Sequence, residues 1–109
     1  MDLTKKKCEE CESGTKPFEK AEAEKYLSML KTEWKLVDGI KIEHKYKFAD
    51  FVEAMKFVNK VAEIAESEGH HPDIFISYSR VTITLWTHSV GGLSINDFIL
   101  ASKIELLKQ

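Results

Sequence analysis

The sequence predicts an α+β fold in two layers, a four-stranded antiparallel sheet with three helices on one face, in the order α-β-β-α-β-β-α. Three observations predict it. Asp38-Gly39 joins two strand-like stretches, and the second alternates apolar or aromatic residues with charged ones from Ile40 to Phe48. Asp50-Phe51-Val52-Glu53 opens a segment whose apolar residues recur at three- and four-residue steps, the period of a helix. Further strand-like stretches and a second helix-opening pattern, Ser94-Ile95-Asn96-Asp97, follow toward the C-terminus. Amphipathic helices must bury their apolar stripe, and an antiparallel sheet offers a face for it while leaving the other open to solvent, a ligand or a second subunit.

At 109 residues the chain has the length of one domain, 43% apolar and 31% charged. The net charge of −2, with both signs interspersed, leaves no basic footprint for nucleic acid. No run approaches a membrane span, and Met1-Asp2-Leu3-Thr4-Lys5-Lys6-Lys7 is not followed by the apolar core of a secretory signal, so the expected compartment is the cytoplasm. Residues 1–14 read as a mobile polar leader and 15–109 as the folded domain. The leader holds both cysteines, in Cys8-Glu9-Glu10-Cys11. That is half a tetrahedral zinc site, and the neighbouring carboxylates work against a reactive thiolate.

From Thr15, Pro17 and the acidic Glu19, Glu22 and Glu24 suit the first turns of a helix that carries Tyr26, Leu27 and Leu30 to about Lys31. Trp34 to Val37 and Ile40 to Phe48 then form a hairpin. His44 lies on its buried-side face and reads as a partly buried, hydrogen-bonded rim residue. The long helix carries a stripe of Phe51, Ala54, Met55, Val58, Val61, Ala62 and Ala65, and Gly69 ends it as a left-handed cap. Pro72 prevents its resumption and makes His71 extended. Strands at Ile74 to Tyr78 and Arg80 to Thr87 follow. In the second, Val81, Ile83 and Leu85 face one way and Thr82, Thr84, Trp86 and His88 the other. Gly91-Gly92 precedes the final helix, whose apolar residues are Ile99, Leu100, Ile104 and Leu107.

Three of the four histidines gather at loop edges, in Gly69-His70-His71-Pro72-Asp73 and Trp86-Thr87-His88. Imidazole has the ordinary pKa nearest neutrality, so His70, His71 and His88 converging on one pocket would exchange protons with a substrate unaided. Zinc is the competing reading, because three-histidine sites hold it and Glu66, Asp73 and Asp97 could orient such ligands. Against it, adjacent residues in an extended segment point to opposite sides, which keeps His70 and His71 from ligating one ion easily. Asp97 also has a plain structural reading, as a helix cap.

From Trp34 onward the chain resembles the pterin-4a-carbinolamine dehydratases, also called 4a-hydroxytetrahydrobiopterin dehydratases. The residues that carry the resemblance are Trp34, Asp38-Gly39, Phe48-Ala49-Asp50-Phe51, Glu66-Ser67-Glu68-Gly69-His70-His71-Pro72-Asp73, Thr87-His88, Gly92-Leu93-Ser94 and Asp97. The acidic leader with its cysteine pair is similar to that of many bacterial members. His44, where a larger basic residue is expected, is the one departure. The resemblance implies the fold derived above, a homodimer or homotetramer, and a reaction that needs neither metal nor organic cofactor. That reaction is loss of water from the 4a-hydroxytetrahydropterin left by an aromatic amino acid hydroxylase, giving quinonoid dihydropterin for tetrahydrobiopterin recycling. It further implies His70, His71 and His88 as the catalytic set. His70 and His88 would exchange protons and His71 position the ring, while Glu66, Pro72, Asp73, Thr87 and Asp97 hold the substrate or the imidazoles. Trp34 and Trp86 are expected chiefly in core packing. Two further classes stay open: a protein-interaction module of the coactivator kind, and a zinc hydrolase.

Overall fold

A computed structural model describes residues 2–9 and 15–107. Three helices, α1 (Lys20–Leu27), α2 (Phe51–Glu68) and α3 (Ile95–Glu105), accompany four strands, β1 (Lys35–Val37), β2 (Lys41–Lys47), β3 (Asp73–Ser77) and β4 (Arg80–Leu85). The sheet is antiparallel throughout, in the order β1-β2-β4-β3. This is the expected α+β order.

The sheet's two faces follow from its register. Across β2, β4 and β3 the inner face is made of three rows, Ile42 paired with Leu85, His44 with Ile83 and Ile83 with Ile74, and Tyr46 with Val81 and Val81 with Ile76. On the outer face Lys45, Thr82 and Phe75 make one row and Glu43, Thr84 and Asp73 another. Asp38 and Gly39, at φ +53° and +72°, make the β1–β2 turn in which both central residues take positive φ. Against the inner face lie Ala54, Val58, Val61 and Ala65 of α2 and Phe98, Ile99, Leu100 and Ile104 of α3, all buried.

Several details of the helices differ from expectation: Ala62, expected on the buried stripe of α2, is exposed, and α1 ends at Leu27 rather than near Lys31. Phe51 is 48% exposed, and Phe57 takes its place in the core, its ring 4.7 Å from Tyr46 and 5.1 Å from Phe48. Both residues are compatible with a helical stripe, so the aromatic slot offered by β2 decides between them. The first helix starts at Lys20, later than the sequence pattern suggests. The Phe18 N–H donates to Leu93 O at 2.8 Å and its ring stacks on Tyr26 at 5.2 Å, which holds residues 15–19 against the loop before α3.

His44 is half-buried between Trp34 and Tyr46, with Nδ1 2.9 Å from Glu33 O. Within the leader, Leu3 and Cys8 pack into the core, at 4% and 7% exposure. Cys11 lies outside the described residues.

Candidate functional site

The three loop-edge histidines meet at one end of the sheet, where α2 ends, β3 begins and β4 leaves for α3. Gly69, at φ +67°, ends α2, its N–H bonding to Glu66 O at 3.3 Å while the His70 N–H bonds to Ala65 O at 3.2 Å. This paired cap fixes the backbone of His70 relative to the helix axis. On the other side, the Thr87 N–H donates to Gly92 O at 2.8 Å and closes a tight loop around the single 3-10 turn His88–Val90. Gly91, at φ +70°, caps that turn.

His70 is the most enclosed of the three. Its side chain is 11% exposed, and Nε2 donates to Oδ1 of the fully buried Asp97 at 2.6 Å. Oδ2 of Asp97 accepts from the Thr87 hydroxyl at 2.8 Å and from the Ser94 N–H at 3.0 Å. The Thr87 proton is thereby spent, so at the 2.8 Å contact between the two hydroxyls Ser94 donates and Thr87 accepts. Asp97 is thus both the carboxylate that completes the capping box opened by Ser94 at the start of α3 and the partner that orients His70. His71 faces solvent, 63% exposed, with Nε2 3.1 Å from Glu66 Oε1.

His88 lies against the Trp86 ring, centroids 3.9 Å apart. Trp86 is itself held from two sides, its indole N–H donating to Asp73 Oδ2 at 3.2 Å and the Lys41 ammonium lying 4.8 Å from its ring centre. The expectation of core packing therefore holds for Trp34, 6% exposed, and not for Trp86, which is half-buried beside His88. The alternation along β4 had already put Trp86 on the face away from Leu85, and that was the available signal.

His70, His71, Asp73, Trp86 and His88 line one open depression of about 350 Å³, with Pro72 and Thr87 in its wall. Glu66 and Asp97 stand behind it, each bonded to an imidazole. Among the described residues, no group of three or more His, Cys, Asp and Glu side chains is placed to hold a metal ion. The depression therefore presents imidazoles held by carboxylates next to an aromatic surface, an arrangement suited to proton exchange with a flat polar ring.

The family model described as pterin 4 alpha carbinolamine dehydratase matches residues 16–107. A Rickettsia bellii (strain OSU 85-389) protein that carries the name pterin-4-alpha-carbinolamine dehydratase is 47% identical over 106 residues, 97% of this chain and 94% of its own. Among solved structures, a transcriptional coactivator/pterin dehydratase from Brucella melitensis superposes with a TM-score of 0.79 at 35% identity, covering 85% of this chain and 99% of that one. A pterin dehydratase-like protein, identified as a RuBisCO assembly factor in the alpha-carboxysome, shares the fold. Its TM-score is 0.61 at 19% identity, over 71% of this chain and 90% of its own.

Proposed function

The chain belongs to the pterin 4 alpha carbinolamine dehydratase family, and from that premise we propose that it dehydrates 4a-hydroxytetrahydropterins by histidine acid–base catalysis. The observation that carries this reading is the depression in which His70, His71 and His88 stand together, with His70 locked to a buried carboxylate. Because the Nε2 proton of His70 is committed to Asp97, Nδ1 is left as an acceptor, and His70 is the base that takes the proton from N5 of the substrate. His88 is the acid that protonates the departing C4a hydroxyl. Water leaves, the N5–H electron pair closes the C4a–N5 double bond, and quinonoid dihydropterin results.

His71, tethered to Glu66, positions the ring, and Pro72 and Asp73 wall it in. Thr87 and Asp97 act through His70. On this reading residues 15–109 are the catalytic domain, it works in the cytoplasm in tetrahydrobiopterin recycling, and it assembles as a homodimer or homotetramer. Phe75 and Tyr78, 68% and 67% exposed beside the open sheet face, favour such assembly. The same exposed residues favour a second reading, an interaction module of the kind the Brucella protein's description names.

Replacing His70 and His88 together by alanine tests the proposal. Each acid–base group contributes typically 10²–10⁴-fold, so the double variant should lose at least about 10³-fold in catalysed dehydration with an unchanged circular dichroism spectrum. Full activity in that variant removes the mechanism. A wild-type protein that does not accelerate carbinolamine loss at all leaves the interaction reading.

A further inference from the structure

His70 follows α2 and Asp97 lies in the first turn of α3, so their 2.6 Å bond is only as fixed as the distance between those two helix ends. The leader ties the same two ends together by a second path. On the α2 side, the Cys8 N–H donates at 2.9 Å to Oε1 of Glu68, the last residue of the helix, and Lys103 Nζ of α3 approaches the same oxygen at 3.0 Å. On the α3 side, the side-chain amide of Asn96, the neighbour of Asp97, pairs with the backbone of Glu9 as an adjacent strand would. The Glu9 N–H donates to Asn96 Oδ1 at 3.1 Å, and Asn96 Nδ2 donates to Glu9 O at 2.6 Å. The Cys8 thiol adds a bond to Asn96 O, at 3.5 Å.

These ties persist at neutral pH. Burial works against the charge on Glu68, but the Cys8 N–H and Lys103 outweigh it and hold the carboxyl below its ordinary value, so it stays an acceptor. Burial, with Glu68 beside it, pushes the Cys8 thiol up to about 12, so the thiol keeps its proton for Asn96 O. With the Glu68 side chain 9% exposed and Asn96 6%, water competes little for any of these bonds.

We propose that Cys8 and Glu9 form a strap that fixes His70 against Asp97, with Glu68 and Asn96 as positioning residues for the proton transfer. The proposal rests on the reading that His70 is the base. An imidazole whose Nε2 is committed to a carboxylate presents Nδ1 only along the line that its partner sets. A misplacement of about 1 Å in such a group costs about 10²-fold in rate. The strap removes that slack without touching the substrate.

Asn96→Ala in the full chain tests it, because both side-chain bonds to Glu9 are lost while the backbone N–H that Ser94 Oγ receives is kept. Glu68→Ala cuts the tie at the other end, and Glu68→Gln, which keeps an acceptor oxygen for the Cys8 N–H, is its conservative rescue. In proton NMR of the wild type, the His70 Nε2 proton should give a downfield signal that exchanges slowly with water. Losing the strap's hydrogen bonds should speed that exchange by about tenfold or more in both alanine variants. Steady-state dehydration kinetics should show kcat lower by about tenfold with KM within about twofold, and Glu68→Gln should recover most of the loss. Ile104→Val, in the buried part of α3, lowers the thermal midpoint away from the strap and should leave exchange and kcat as in the wild type. Unchanged exchange in either alanine variant overturns the proposal, as does an unchanged kcat in an active enzyme. Equal losses in Ile104→Val overturn it too, because they would mark a general loosening. If exchange responds as expected in a chain that does not dehydrate the carbinolamine, the strap stands and the catalytic reading falls.

Discussion

Asp97 concentrates more of this account than any other single residue. It is fully buried, caps α3, accepts from Thr87 and Ser94, and holds His70 at 2.6 Å. Asp97→Asn keeps the shape but offers an NH₂ where one oxygen accepted. The lost charge-assisted bond is worth roughly 1.5–3 kcal/mol, which is about 10- to 100-fold in rate if it is felt in the transition state. Steady-state kinetics should therefore show kcat falling by about that factor while KM moves little. A fall in thermal midpoint with normal kcat would make Asp97 a cap and nothing more. The capping role is legible in Ser94-Ile95-Asn96-Asp97, because it is local. The bond to His70 is not, because it joins residues 27 positions apart that only the packing of α2 against α3 brings together. The clamp of Lys41 and Asp73 on Trp86 escaped sequence reading for the same reason.

Among the elements, the loop from Thr87 to Ser94 sets the position of His88, and its tightest point is Gly92. A Cβ there would lie 2.7 Å from Cβ of Pro17, in the segment that Phe18 ties to Leu93. Neither a proline ring nor a hydrogen-bonded backbone yields easily. Gly92→Ala should therefore cost roughly 1–3 kcal/mol, as overpacking does elsewhere, and lower the denaturation midpoint. An unchanged midpoint would mean that the Pro17 segment is free to move. The strands and the long helices were readable because their signals are periodic or local: the alternation in β2, the Asp38-Gly39 turn, the Gly69 cap and the Ser94 cap. The start of α1 was misplaced because the acidic residues and Pro17 suit a helix, whereas a tertiary hydrogen bond and the stacking of Phe18 claim those residues instead. The exchange of Phe51 for Phe57 has a similar origin, since the periodicity admits both and a neighbouring ring selects one.

For the whole molecule, the arrangement separates stability from chemistry. The core fills the space between α2, α3 and the inner sheet face, while the imidazoles stand at the sheet's end on caps and a closed loop whose backbones are fixed by hydrogen bonds. Proton exchange needs such fixed geometry more than it needs new contacts on binding. The overall layering was legible in the order of elements, and the gathering of three histidines was suggested by their loop-edge positions. Glu66 and Asp97 were already candidates for holding the imidazoles; the packing of the chain's second half decides which ring each takes, Glu66 with His71 and Asp97 with His70. The most direct test of the central claim is a ¹⁵N NMR titration of the histidine imidazoles with a stable dihydropterin. The ring signals of His70, His71 and His88 should shift together and saturate at one ligand per chain, with His44 unmoved. Saturable binding that leaves those three signals in place would contradict it.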